Sequence, residues 1–460
     1  MTSAASRRVL MKGAGALGLA SLAGESFAAA SQPNILFILA DDLGYADLGC
    51  YGQQAIKTPV LDRLARDGVL LTQAYANSAV CSATRTALLT GRYQQRLPIG
   101  LYEPAGNSNL FVPPDHPTIA TLLRARGYKS SLVGKWHLGA YPAHNPQSNG
   151  YDYCFGFVGG ASDYFRHSGP DKRPDSGLWE NDRKVDVPGY LTDILANKAI
   201  ERIAAHKQAG APFFMSLHLN APHWPWEGPN DAAVAATITN NRDPDRGNLA
   251  KYGEMVEAMD SAIGRVLAAL RQQGLERDTI VIFSSDNGGE RFSDVWPLTG
   301  AKGELLEGGI RVPAILRWPA RVKRGQVNQQ VAISMDWLPT LLAAAGGAPD
   351  PAYPSDGMNI LPILLGQAPI AKRKLFWRYK AQDQAAVRDG DVKYLLIGGR
   401  EYLFNVVEDA HERANLKNRD KETFERLKAD FAAWNAQMLP YPPNMPSDNP
   451  KQAGTFADRY

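Results

Sequence analysis

Three uninterrupted runs of strand length, Asn34–Ala40, Pro212–Leu219 and Thr279–Ser285, constrain this chain most. Each is dominated by apolar residues and lacks the in–out alternation of a half-exposed strand. Each therefore predicts a central strand covered on both faces. Tyr128–Val133 predicts a shorter strand of the same kind. Helical periodicity fills the intervals: from the Thr58-Pro59 start to Gly68, from Pro117 to Gly127, over Tyr190–Ala205, over Tyr252–Leu270 and over Asp336–Ala345. Thr before Pro is a helix-start signal. Repeated strand, loop and helix predict an α/β fold, a mostly parallel sheet sandwiched by helices.

Beyond a Pro- and Gly-rich stretch at Gly346–Pro369 the pattern changes. Four short strand candidates, Leu375–Tyr379, Gln384–Arg388, Lys393–Ile397 and Glu401–Asn405, precede a closing helix over Lys421–Met438. They predict a small C-terminal antiparallel α+β domain. We place the main domain at residues 31–365 and the small one at 366–460. Residues 140–190, rich in Gly, Pro and aromatics, read as a long irregular excursion. Such a stretch either walls a substrate pocket or packs on the surface. The stretch from Trp226 to Asn248 is polar and loop-like.

The chemistry lies where the strands end. Asp41-Asp42 follow the first run and Asp286-Asn287 the third, and ligands of open α/β sheets bind beyond such carboxyl ends. Gly134-Lys135-Trp136-His137 follows the short strand. Lys135 and His137 alternate and so face one way on extended chain. His223, between Pro222 and Trp224, follows the second run, whereas His218 falls within it as a core histidine. Lys302 sits in a Gly-rich segment nearby. Asp41, Asp42, Asp286 and Asn287 offer four oxygen ligands and no imidazole. That set suits a hard cation, Ca²⁺ more than Mg²⁺.

Val80 to Arg92 reads as a loop turning into a helix. Ser82 or Thr84 is expected to cap it and Gly91 to stop it. Cys81 then lies at the N-terminal end, where free N–H groups favour an anion, with Arg85 one turn on along the same side. Taken alone, the segment is either a nucleophile and cation framing an oxyanion site or a structural cysteine beside an arginine.

The chain begins with Arg7-Arg8, a weakly apolar Gly/Ala/Leu run and Ala28-Ala29-Ala30. Residues 1–30 read as a twin-arginine export signal, with an ordinary secretory signal as the alternative. The run is too short for a stable membrane span. The destination expected is the periplasm or the exterior. The net charge of +3, from 50 basic and 47 acidic residues, carries no nucleic-acid footprint. Three cysteines, Cys50, Cys81 and Cys154, make no disulfide framework.

Cys81-Ser82-Ala83-Thr84-Arg85, followed by Thr90-Gly91-Arg92, resembles the signature of type I sulfatases, with Ala83 where most members carry Pro. Asp41-Asp42, Gly134 to Gly139, Ala221-Pro222-His223, Asp286-Asn287-Gly288 and Gly300-Ala301-Lys302 resemble the family's other motifs, in the family's order. The resemblance spans roughly residues 34–320. It implies an alkaline-phosphatase-like fold and an arylsulfatase-like sulfuric ester hydrolase acting on aryl sulfates or sulfated carbohydrates. It implies oxidation of Cys81 to formylglycine (3-oxoalanine) by a formylglycine-generating enzyme. It also implies one Ca²⁺ held at Asp41, Asp42, Asp286 and Asn287 beside residue 81. In that scheme a hydroxyl of the formylglycine hydrate attacks sulfur, while Arg85, Lys135 and Lys302 neutralise charge. His223 protonates the leaving alcohol and His137 deprotonates the second hydroxyl. The competing expectations are a phosphonate or phosphate ester hydrolase on the same fold and a non-catalytic anion- or glycan-binding protein.

Overall fold

The computed structural model describes residues 32–105, 109–168, 175–237, 247–445 and 447. The expected export segment, residues 1–30, lies outside the described residues, as does part of the stretch 226–248. In chain order the strands of the main region are β1 (Asn34–Asp41), β2 (Val69–Leu71), β3 (Ala74–Tyr75), β4 (Lys129–Lys135), β5 (Tyr153–Phe157) and β6 (Leu178–Glu180). They continue with β7 (Arg183–Val185), β8 (Phe213–Pro222), β9 (Thr279–Ser285), β10 (Ala314–Arg317), β11 (Gln326–Asn328) and β12 (Ala332–Ile333). Ten of them form one sheet in the order β11-β2-β10-β9-β1-β8-β4-β5-β6-β7. Its centre, β9-β1-β8-β4-β5, is parallel, and β10, β6 and β7 join antiparallel.

β1 explains why its run is apolar throughout. Ile35, Phe37 and Leu39 point into one layer and Leu36, Ile38 and Ala40 into the other, and all are buried. Helices Pro59–Arg66, Leu191–Ala209 and Leu249–Gln272 cover the face of Leu36. Helices Cys81–Thr90, Ile119–Arg124 and Trp337–Ala344 cover the other. Each Leu, Ile or Phe so enclosed contributes about 1.5–3 kcal/mol.

Three local expectations are corrected. Residues 140–190 are not irregular throughout: they supply β5, β6 and β7. Gly134 and Gly156 pair across β4 and β5, and a Cβ on Gly156 would stand 1.9 Å from the Gly134 carbonyl oxygen, so only glycine lets these backbones approach. Tyr141, Tyr151 and Tyr164 of this region are packed in the interior. At the helix Cys81–Thr90 neither Ser82 nor Thr84 caps, and the N-cap position belongs to Val80. Ser82 Oγ instead accepts from Ala105 N–H (2.7 Å), and Thr84 Oγ1 exchanges hydrogen bonds with the Ser78 backbone. Thr58 does precede the helix Pro59–Arg66, but its hydroxyl accepts from Gly49 N–H and donates to Asp62. Cys50, Cys81 and Cys154 are free thiols.

The C-terminal strands β13 (Lys374–Tyr379), β14 (Gln384–Asp389), β15 (Val392–Ile397) and β16 (Arg400–Asn405) form an antiparallel sheet in chain order. Phe424 and Leu427 of helix Lys421–Asn435 cover one face. The other face, through Trp377 and Leu395, packs against Val80, Leu305 and Leu306. It therefore buttresses the two segments that carry Cys81 and Lys302. Among the described residues no helix is long and apolar enough to cross a membrane.

Candidate active site

All ten residues singled out from the sequence meet at the carboxyl edge of the sheet. β1 ends in Asp41 with Asp42 next, β4 in Lys135 with His137 just beyond, β8 is followed by His223, and β9 by Asp286 and Asn287. The helix Cys81–Thr90 points its first residue into the cluster. All ten but Lys302 are buried, and the Lys302 side chain is 14% exposed.

The charges are paired. Lys135 Nζ donates to Asp41 Oδ2 and Lys302 Nζ to Asp42 Oδ2, each at 2.6 Å. Arg85 directs Nε (2.9 Å) and Nη2 (2.8 Å) at Asp286 Oδ2. Its Nη1 donates to the Lys135 carbonyl at 3.3 Å. Burial, reinforced by Asp286 and Asp42, pushes the Asp41 carboxyl well above the usual carboxylate range, despite Lys135 and Arg85. Burial also opposes ionisation of Asp42, but Lys302 and His223 outweigh it and hold its carboxyl well below that range. Burial likewise opposes the charge on Lys302, and Asp42 and Glu290 more than restore it. The buried thiol of Cys81 is pushed up to about 11, Lys135 pulling the other way. At neutral pH an unmodified Cys81 is thus a neutral thiol and a poor nucleophile.

The two histidines face different groups. His137 Nδ1 lies 3.3 Å from Cys81 Sγ and its Nε2 3.0 Å from the Ala105 carbonyl. His223 Nδ1 lies 2.6 Å from the Trp224 carbonyl, and its Nε2 is 3.5 Å from Asp42 Oδ2. Burial first, then Lys135 for His137 and Lys302 for His223, keeps both imidazoles neutral at pH 7. Asp42 and His137 have left-handed φ values of 63° and 61°. Non-glycine residues held there cost of order 1–3 kcal/mol, and such positions cluster at functional sites.

Comparison with known proteins leads to the family whose motifs the sequence resembles. The sulfatase family profile matches residues 33–348. The chain belongs to the sulfatase family. Arylsulfatase J of Mus musculus is 30% identical over 488 aligned positions, covering 93% of this chain and 80% of that protein. N-acetylgalactosamine-6-sulfatase of Canis lupus familiaris is 33% identical, covering 81% and 73%. The crystal structure of Ps i-CgsB in complex with k-i-k-neocarrahexaose superposes with a TM-score of 0.81 at 29% identity, covering 92% of this chain and 96% of that one. The chain is thus a sulfatase, a hydrolase of sulfate esters.

The donors of this sulfatase fit a hard cation. Asp41 Oδ1 and Asn287 Oδ1 are buried and have no hydrogen-bond partner, a costly state unless a cation is meant to sit there. Oxygens of Asp41 and Asp286 and Cys81 Sγ lie within 4.8 Å of one another, as do ligand atoms of Asp41, Asp42 and His223. Asn287 Nδ2 donates to Asp42 Oδ1 (2.7 Å) and to the Gly288 carbonyl (2.9 Å). Its N–H groups are thus engaged, while its oxygen is left without a hydrogen-bond partner.

Some contributors were invisible in the sequence. The carbonyls of Ala105 and Trp224 orient the two histidines, and backbone acceptors carry no residue signal. His218, expected as a satisfied core histidine, sets Nδ1 3.2 Å from the Lys135 carbonyl, sharing that acceptor with Arg85, while its Nε2 is buried without a partner.

Proposed function

We propose that this sulfatase is a formylglycine- and Ca²⁺-dependent enzyme acting on sulfated carbohydrates, exported by a twin-arginine signal in residues 1–30. Its catalytic domain would span 31–365 and a smaller domain 366–460. The observation that carries the reading is the convergence of Cys81, at the start of a helix, with three carboxylates, three cations and two imidazoles. Asp41, Asp42, Asp286 and Asn287 would hold the Ca²⁺, which supplies a dication to offset charge on the ester oxygens. Formylglycine at position 81 supplies a geminal diol, one hydroxyl of which is the nucleophile.

The chain's own residues do the rest. A carbonyl only accepts, so Ala105 fixes the His137 proton on Nε2 and leaves the Nδ1 lone pair toward residue 81. His137 therefore takes a proton from residue 81. Trp224 likewise fixes a proton on His223 Nδ1. In the empty site Nε2, beside Asp42, is thus unprotonated; a negative sulfate ester bound next to it favours uptake of a second proton there, and that proton is the one to give to the leaving alcohol. Arg85, Lys135 and Lys302 are fixed before substrate arrives and stabilise negative charge on the transferring group.

Every residue of helix Cys81–Thr90 is buried. This supports modification of Cys81 by a formylglycine-generating enzyme before the chain folds. A carbohydrate substrate is supported by the relative acting on N-acetylgalactosamine 6-sulfate esters and by the relative bound to an oligosaccharide. The test is a panel of sulfated sugars and aryl sulfates, with peptide mass spectrometry of residue 81 on the same preparation. Release of sulfate together with an aldehyde in place of the thiol is expected. Full activity with an unmodified thiol overturns the formylglycine reading.

A further inference from the structure

The loop that holds His137 is itself held by the C-terminal end of the chain. Ala105 is fixed on both sides: its N–H donates to Ser82 Oγ at 2.7 Å, next to Cys81, and its carbonyl receives His137 Nε2 at 3.0 Å. Two residues earlier, Glu103 is fully buried. Its Oε2 accepts from Lys380 N–H (2.7 Å) and Ser447 Oγ (3.2 Å), and its Oε1 from Tyr441 OH (2.8 Å). The backbones of Glu103 and Ser447 also form a β-bridge, and Lys380 Nζ donates to the Met445 carbonyl at 2.6 Å. Lys380 follows β13, and Tyr441 and Ser447 follow the last helix. A buried carboxylate with three donors, all from residues at least 277 positions away in sequence, therefore pins the short loop on which the His137 tautomer depends.

The other face of the imidazole is also closed. A Cβ on Gly160 would stand 2.8 Å from His137 Cε1. With Cys81, Ala105 and Gly160 around it, the ring keeps its aim only while Ala105 stays in place.

We propose that Glu103 is a positioning residue for the reaction, coupling the C-terminal segment to His137 through Ala105. This rests on the role given to His137 above. Glu103 does not touch residue 81, so it acts through the placement of the imidazole and not on substrate binding. Burial pushes the Glu103 carboxyl up to about 7, against the pull of the Lys380 N–H. A neutral isostere is therefore tolerated, whereas loss of the group is not.

The test follows 4-nitrophenol release from 4-nitrophenyl sulfate, with rates normalised to converted residue 81. His137 faces residue 81, and with the role on the second hydroxyl that the family resemblance implies, misplacing it slows the part of the cycle after the alcohol has left. Glu103→Ala should give a burst of 4-nitrophenol near one per active site. A steady-state kcat at least tenfold below wild type should follow, with KM falling in step so that kcat/KM stays within about threefold. Glu103→Gln should stay within about threefold of wild type and show no burst. If Glu103→Ala does not fold, Tyr441→Phe, which removes one donor, should show the same signature with a two- to fivefold loss. Wild-type kcat in Glu103→Ala, or a reduced kcat without a burst, overturns the coupling. His137→Asn is the control. If it shows the burst and the Glu103 and Tyr441 variants do not, the coupling alone falls; if it turns over without one, the role of His137 falls and the coupling with it.

Discussion

His137 Nδ1 stands 3.3 Å from Cys81 Sγ, on the side of the ring away from the Ala105 carbonyl that holds its Nε2 at 3.0 Å. His223 is anchored in the mirror sense, Nδ1 on the Trp224 carbonyl and Nε2 toward Asp42. One imidazole addresses residue 81 and the other the region beyond Asp42, so the two are not interchangeable.

His137→Asn tests the first of these roles. Asn tolerates the left-handed φ of 61° at this position, so the backbone is spared. Loss of general-base help should lower kcat by about 10²–10⁴. The melting temperature should stay within a few degrees. A variant that keeps wild-type kcat removes His137 from the chemistry.

Arg85 and Asp286 form a deeply buried ion pair of the site, 1% and 0% exposed. Arg85→Ala leaves Asp286 buried without its partner and should cost about 3–5 kcal/mol of stability, read by urea unfolding. Arg85→Lys keeps a charge but not the fork that reaches both Asp286 and the Lys135 carbonyl. It should fold and lose activity by at least about 10²-fold, the scale of a lost transition-state donor.

Chelation should separate the metal from the rest of the site. Without a cation Asp41, Asp42 and Asp286 crowd one another, and Asp41 Oδ1 and Asn287 Oδ1 lack hydrogen-bond partners. Chelator should lower the melting temperature and abolish activity, and Ca²⁺ should restore both. At a hundred times its Kd a ligand adds about 2.7 kcal/mol. Asp41→Asn should erase the Ca²⁺-dependent shift. Restoration by Zn²⁺ and not by Ca²⁺ would contradict the oxygen-ligand reading.

The centre of the fold and the site were legible for one shared reason. A strand buried on both faces must be apolar along its length, so β1, β8 and β9 announce themselves, and polar residues at their ends stand out as Asp41, His223 and Asp286. β5 was not legible, because Tyr153-Cys-Phe-Gly-Phe is short and owes its strand to the Gly134–Gly156 approach. Ser82 and Thr84 look like caps, yet tertiary partners at Ala105 and Ser78 claim them. Glu103 has no local signal at all, since its partners are Lys380, Tyr441 and Ser447.

His206 should make the fold acid-sensitive independently of the site. It is buried, stacked on Phe213, with Nε2 2.8 Å from Ser131 Oγ. Burial, reinforced by Arg202, lowers its pKa to about 4. Between the ordinary histidine value and about 4, the unfolded chain binds a proton that the folded chain does not. His206 therefore costs stability as pH falls, with a slope of about 1.4 kcal/mol per pH unit at most. Its penalty is absent at pH 7 and above. The stability gap between wild type and His206→Gln, measured by urea unfolding from pH 7 to pH 4.5, should shift in favour of the variant as pH falls. A gap independent of pH refutes it.

The charge balance predicts a preference for sulfate over phosphate monoesters. Lys135, Lys302 and Arg85 each already hold a carboxylate at 2.6–2.9 Å, so they cancel Asp41, Asp42 and Asp286. Asn287 adds no charge. Both candidate cation groups among the described residues include Asp41, and the centre proposed above holds a single ion. Two-metal phosphatase sites instead place ions about 3.5–4 Å apart. The surplus positive charge is then that of a single dication. A sulfate monoester brings one negative charge and leaves positive charge for the leaving oxygen, where it develops in the transition state. A phosphate monoester brings about −1.5 to −2 at pH 7 and spends that surplus in the bound ground state, which does not accelerate the reaction. On one preparation, kcat/KM for 4-nitrophenyl sulfate should exceed that for 4-nitrophenyl phosphate by at least about tenfold, or 1.4 kcal/mol of transition-state preference. Asn287→Asp should narrow the gap from the sulfate side, because its added negative charge offsets half of the dication. Equal rates for the two esters in wild type would mean that surplus charge does not set the preference.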